Sequence, residues 1–279
     1  AVVATEMEDG QTLTTSGAGA TTITGLQANL TDTSTAAQDI TVADVATITL
    51  GLGSNTTGTD AVDATALTDG DVLTLTGAND ATISFDEGDI TASAYTGGLT
   101  VTGTGTAGQF TTGTASSSIS STGTTAIVAT ALADGQTLTT TGNGALTITG
   151  LQANLAVNDA RSAAHSVTAA AVANLTVAMG TSTSGTDTIV ATALTDGQVL
   201  TLTGSNSTNL SFANGDITAS AFAGALAVTG SGTTGQFTTG VASSSISSTG
   251  ATTIVATALA DDQTLTTSGA GATTITGLQ

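Results

Sequence analysis

The stretch Gln11–Gln27, QTLTTSGAGATTITGLQ, returns letter for letter at Gln263–Gln279, and a near copy, QTLTTTGNGALTITGLQ, fills Gln136–Gln152. The first two copies run on into Ala-Asn-Leu, at Ala28–Leu30 and Ala153–Leu155. Self-similarity at a fixed period is the mark of a repeat architecture, in which each unit buries its apolar face only against its neighbours. The chain therefore reads as an array: residues 2–126 form a first repeat, 127–253 a second, and 254–279 the start of a third. The third copy stops where the others continue, so the array is expected to go on.

One turn measures the period. An Asp-Gly pair precedes a strand-like run at Gly10, Gly70, Gly135 and Gly197, and Asp262 stands in the glycine's place in the fifth copy. The intervals are alternately shorter (Gly10 to Gly70, Gly135 to Gly197) and longer (Gly70 to Gly135, Gly197 to Asp262), so two kinds of half-repeat alternate. A full repeat takes the chain from Gly10 to Gly135, and again from Gly135 to Asp262. The first half varies most after its shared leucine, where TDTSTAAQDIT (31–41) faces the longer AVNDARSAAHSVT (156–168). A length change at one place in a fixed period usually marks a surface loop. The second half is better kept: GDITASAYTGGLTVTG (88–103) becomes GDITASAFAGALAVTG (215–230).

Within the second half, apolar centres fall at Leu73, Ile83, Ile90, Leu99, Phe110, Ile119 and Ile127, each bounded by Gly, Ser, Asn or Asp. Alternation inside these runs is of period two, as in Val72-Leu-Thr-Leu-Thr76, which predicts a strand at every centre, threonines outward, and no helix. An all-β chain of this spacing is either a β-solenoid or a string of β-sandwiches. The sandwich lacks its usual large aromatic core, small residues recur at one phase, and a half-repeat is short for an independent sandwich. The solenoid is therefore the expected fold, with about three rungs of roughly twenty residues per half-repeat. Residues one full repeat apart would then lie six rungs, roughly 29 Å, along one axis.

Composition narrows the function. The 279 residues carry 21 acidic side chains against one Arg, Arg161, and one His, His165, for a net charge of -20. Binding phosphates requires Lys and Arg to displace counterions, so nucleic acid and anionic membrane surfaces are not expected partners. Every apolar run is broken well before the length of a membrane span, so no membrane insertion is expected. With no cysteine there is no disulfide framework.

No catalytic residue and no cofactor-binding residue can be assigned. Ser and Thr abound but lack a basic partner to activate them, and the carboxylate-plus-base sets of polysaccharide-cleaving solenoids cannot be assembled from one Arg and one His. Both basic residues lie in the variable segment, which reads as an exposed insertion. The densest acidic group, Asp80, Asp86, Glu87 and Asp89, faces Ser207, Ala213, Asn214 and Asp216 in the second repeat, so only Asp89 keeps a carboxylate. Asp9, Asp69, Asp134 and Asp196 precede glycine and read first as turn formers. Metal ligands thus stay unassigned, with structural calcium an open expectation for so acidic a chain. Six aromatics form three equivalent pairs, Phe85/Phe212, Tyr95/Phe222 and Phe110/Phe237; they read as core plugs rather than a glycan platform. The Thr-x-Thr pairs, Thr12/Thr14, Thr22/Thr24, Thr74/Thr76, Thr100/Thr102, Thr147/Thr149, Thr201/Thr203 and Thr264/Thr266, suggest a hydroxyl face of the ice-binding kind, although their irregular intervals argue against a continuous grid.

The segments GDITASAYTGGLTVTG, GQFTTGTASSSIS (108–120) and TLTTTGNGALTITGL (137–151) resemble the very long β-strand-repeat surface proteins of bacteria, among them secreted adhesins and S-layer-like proteins. That resemblance implies an extracellular or cell-surface fibre, coat or adhesin stalk, and assigns no role to any single residue. The expectation is a non-enzymatic structural filament whose partner is itself, through continuing or head-to-tail repeats and through lateral bundling screened by salt or divalent cations. The alternative is a binding module that grips ice or glycans.

Overall fold

A computed structural model describes residues 1–278 apart from 9, 55–56, 106, 159–162 and 182–184, so Asp9 and Arg161 lie outside the described residues. The chain forms two compact units, Ala1–Ala145 and Leu146–Gln279. Each is a β-solenoid: successive strands alternate between two sheets, and every pairing within a sheet is parallel. The first unit holds fifteen described strands, eight in one sheet and seven in the other; the second holds fourteen, seven in each. No helix occurs among the described residues.

Period-two alternation fixes which side chains face inward, and the register then stacks like on like. In the first unit Ile23, Ile40, Val62, Ile83, Val101 and Ile119 pair in turn, rung upon rung. On the facing sheet the column runs Ile48, Leu73, Ile90, Phe110, Ile127. All of these side chains are buried. The second unit repeats the first column as Ile148, Val167, Ile189, Leu210, Val228, Ile246. Each of the seven apolar centres from Leu73 to Ile127 falls on its own strand.

The sequence distance between partners along a column varies, short from Leu73 to Ile90 and long from Ile48 to Leu73. The connections between strands absorb that variation, so the register survives unequal loop lengths. Two glycine positions, one within the opening stretch and one just before it, take left-handed backbone in successive copies. Gly25, Gly150 and Gly277 take φ of 64°, 64° and 68°; in the first two, the register shifts across that glycine, between Ile23 and Leu26 and between Ile148 and Leu151. A side chain is strained in that left-handed region. The Asp-Gly turns do the same: Gly10, Gly70, Gly135 and Gly197 have φ of 79–91°, and Asp262 (φ 64°) is the one non-glycine residue with positive φ among those described.

The expected six rungs per repeat require correction. The half-repeat from Gly10 to Gly70 contains six strands, but that from Gly70 to Gly135 contains seven. A full repeat is therefore thirteen strands, six and a half turns. Thr12–Thr15 and its counterpart Thr137–Gly142 consequently lie in opposite sheets of the first unit. Leu146–Leu151 and Thr273–Thr276 do so in the second. Equivalent residues face opposite ways, which spacing alone did not reveal.

Candidate functional site

The outward faces carry the exposed chemistry. On four consecutive rungs of the first unit, Thr82/Ser84, Thr100/Thr102, Ser118/Ser120 and Thr139/Thr141 stand in register, giving two parallel columns of hydroxyls. The opposite sheet aligns Thr49, Thr74, Thr91 and Thr111. Loops take up the unequal intervals, so these four rungs stay in register, but the columns end on one side where Ala61 and Asp63 pair with Thr82 and Ser84. A shallow hollow of about 390 Å³ lies over this face, lined by Thr82, Gly98, Thr100 and Thr139 among others. The second unit has an equivalent hollow, also of about 390 Å³, with Asn209, Ala225, Ala227 and Thr266 at the same places. Its first hydroxyl column is therefore interrupted.

Polar side chains at the corners fasten each rung to the next. Asn29 Oδ1 accepts the Thr49 N–H at 2.8 Å, and Asp89 Oδ1 accepts the Gln109 N–H at 3.0 Å. Gln136 Oε1 accepts both the N–H and the hydroxyl of Ser116, at 3.0 and 2.8 Å. The second repeat copies these links with Asp216 to Gln236 and Gln263 to Ser243. The acidic group singled out in the sequence is used the same way: Asp80 accepts the Gly98 N–H and Asp86 the Thr104 hydroxyl. Among the described residues no group of three or more His, Cys, Asp or Glu is placed to hold a metal ion.

Comparison with known proteins adds nothing to this geometry. No family model, curated protein or solved structure matches the chain. What the molecule does has to be argued from its own side chains.

All six aromatic rings are interior, each 0–1% exposed. Phe212 and Phe237 meet with ring centroids 6.4 Å apart. That leaves no aromatic platform for a sugar on the surface they were candidates for. His165 is also interior, 4% exposed, which corrects its reading as part of an exposed insertion. It occupies the place of Gln38. The backbone N–H of each donates to a buried carboxylate one rung on, Gln38 to Asp60 and His165 to Asp187, both at 2.8 Å. The other oxygen of each carboxylate accepts an amide, from Asn79 at 2.9 Å and from Asn206 at 2.6 Å. In the first repeat Tyr95 donates its hydroxyl to the Asn79 carbonyl; in the second Phe222 takes that place.

This buried polar ladder was missed in the sequence. Its signal was present, since Asp60 and Asn79 both recur one full repeat on, as Asp187 and Asn206. Burial raises the Asp60 carboxyl above the ordinary range, opposed by its hydrogen bonds from Asn79 and Gln38.

Proposed function

We propose that this chain is a non-enzymatic structural protein, a segment of an extracellular filament, surface coat or adhesin stalk. The observation that carries the reading is where the polar side chains go. The links from Asn29, Asp89, Gln136, Asp216 and Gln263 all reach a residue 20 positions away, on the neighbouring rung. Hydrogen bonding thus runs along the stacking axis, alongside the parallel ladder and the interior columns, which suits a body loaded along its length. In this reading the partners are further turns of the same kind, and laterally like filaments whose carboxylates are screened by salt or divalent cations. Immunogold labelling of the intact source cells tests it: label on extended surface material is expected, and label confined to the cell interior would overturn it.

A second reading has one observation in its favour. Four rungs of paired hydroxyls in register form a regular, uncharged array that could order water or meet a hydroxylated surface. Measuring thermal hysteresis with Thr100→Leu as control separates the two. Hysteresis lost in the variant would favour ice binding, and its absence in the wild type leaves the filament.

A further inference from the structure

The first repeat contains a buried corner that the second lacks. Asp32, the last residue of strand Asn29–Asp32, is 3% exposed, and Gln38, at the start of Gln38–Val42, is 2% exposed. Both side chains converge on Ser34. Asp32 Oδ1 accepts the Ser34 N–H at 2.9 Å and the Thr15 hydroxyl at 2.6 Å. Gln38 Nε2 donates to the Ser34 hydroxyl at 2.7 Å and to the Ala36 carbonyl at 2.6 Å. The remaining oxygens, Asp32 Oδ2 and Gln38 Oε1, are buried and have no hydrogen-bond partner. Both are acceptors, and a buried acceptor without a partner is costly, more so when it carries charge.

The second repeat shows the alternative. The strand equivalent to Asn29–Asp32 is Asn154–Val157, so Val157 stands where Asp32 does, and His165 stands where Gln38 does. The carboxylate and the amide are replaced together. This pairing is what a shared ligand requires: neither orphan oxygen persists where the other is gone. A surface hollow of about 490 Å³, with Thr31, Asp32, Ser34, Gly53 and Ser54 among its lining, lies at the same corner and offers a way in.

The geometry points to a site for one hard divalent cation of the calcium class at this corner, with Asp32 Oδ2 and Gln38 Oε1 as its protein ligands. Both proposed protein ligand atoms are oxygens, as such ions demand, and waters and backbone carbonyls would complete the six to eight ligands. With a single coordinating carboxylate the affinity belongs to the weak range of extracellular modules, a dissociation constant of about 10⁻⁴–10⁻³ M. The ion would tie the ends of two strands through Ser34 and supply a counter-charge to the buried carboxylate.

The test is calorimetric titration of the whole chain with calcium chloride, in excess sodium chloride to suppress loose binding at exposed carboxylates, together with denaturant unfolding in calcium and in EDTA. One saturable calcium per chain is expected, and calcium at ten times the dissociation constant should raise the folded-to-unfolded ratio about elevenfold. Asp32→Asn, which removes the charge, and Asp32→Val, which copies Val157, should both abolish the saturable ion while retaining the β-sheet circular dichroism. Asp32→Asn keeps the side chain's shape, so it serves if the valine variant does not fold. No saturable calcium in the wild type would overturn the site, the corner then holding water. Calcium binding unchanged in Asp32→Asn would overturn it as well, placing the ion elsewhere.

Discussion

Adding one methyl group to Gly123 probes how closely the rungs approach. A Cβ on this residue would overlap the carbonyl oxygen of Gly105 and come within 2.6 Å of the Gly105 carbon and 3.1 Å of the Thr104 oxygen. A Cβ on Gly144 would overlap the Gly123 carbonyl in the same way. Glycines 105, 123 and 144 thus form a column in which backbone rests on backbone. An ordinary C···O contact is about 3.3 Å or more, so Gly123→Ala must push neighbouring rungs apart locally by well over an ångström. Overpacking typically costs about 1–3 kcal/mol where side chains can yield. Here the obstacle is main chain, the Thr104–Gly105 backbone of the neighbouring rung, which places the cost at about 3 kcal/mol or more. The Ser121 hydroxyl bond to the Gly123 carbonyl, 2.9 Å, would be disturbed with it. Gly19→Ala is the control: nothing lies within 4 Å of its Cβ position and its φ is ordinary, so the change should be neutral or stabilise by about 0.4–1 kcal/mol. Guanidinium unfolding gives the magnitudes, and hydrogen exchange should show protection lost around the 105–144 rungs and kept in distant strands, as in a nearest-neighbour array. Gly123→Ala within about 0.5 kcal/mol of the wild type would refute the close approach.

Phe110 is wholly buried between Ile90 and Ile127 in its column, so Phe110→Ala should cost about 3–5 kcal/mol by denaturant unfolding; a loss under about 1 kcal/mol would mean the ring is not a core plug. Burial, with Asp60 and Asp80 nearby, raises the Tyr95 phenol above its usual range. The folded state then holds that proton more tightly, so its contribution is complete below the unfolded value near 10 and is lost as pH rises through the folded one. Tyr95→Phe, which copies Phe222, should cost about 1 kcal/mol at neutral pH for the lost bond to Asn79 and flatten the alkaline decline, read as unfolding midpoints from pH 8 to 11. Asp262→Gly should stabilise by roughly 0.5–1 kcal/mol, since φ of 64° suits glycine and the four other copies of the turn carry it; destabilisation in a thermal melt would contradict this.

The strands were legible because period two is a local property. Val72-Leu-Thr-Leu-Thr76 announces its buried and exposed faces without reference to the rest of the chain, and strand Val72–Gly77 forms there. The Asp-Gly turns were legible for the same reason, down to Asp262 at positive φ. His165 was not. Its place in the interior depends on Asp187, on the next rung, whose carboxylate receives its N–H. A variable length of loop, which usually marks the surface, here leads back into a core position. The hydroxyl columns were hidden for a related reason, because alignment in space does not need equal intervals in sequence. Register is set by the inward ladder, Ile on Val on Ile, and the outward Thr and Ser inherit it however long the loops are.

The odd strand count follows from nothing local and changes how the array meets its surroundings. With two sheets, a repeat of twelve or fourteen strands would return every copy of a side chain to the same face. The seventh strand of the longer half-repeat, against six in the shorter, makes the total thirteen and puts the two copies that lie within one unit in opposite sheets. Sequence identity between repeats is then compatible with presenting one motif on both sheets of a unit. For a structural filament this distributes lateral contacts to both sides. In the filament reading proposed above, the flip spreads one repeated motif over both sheets by a geometric consequence of counting strands, independent of any single residue.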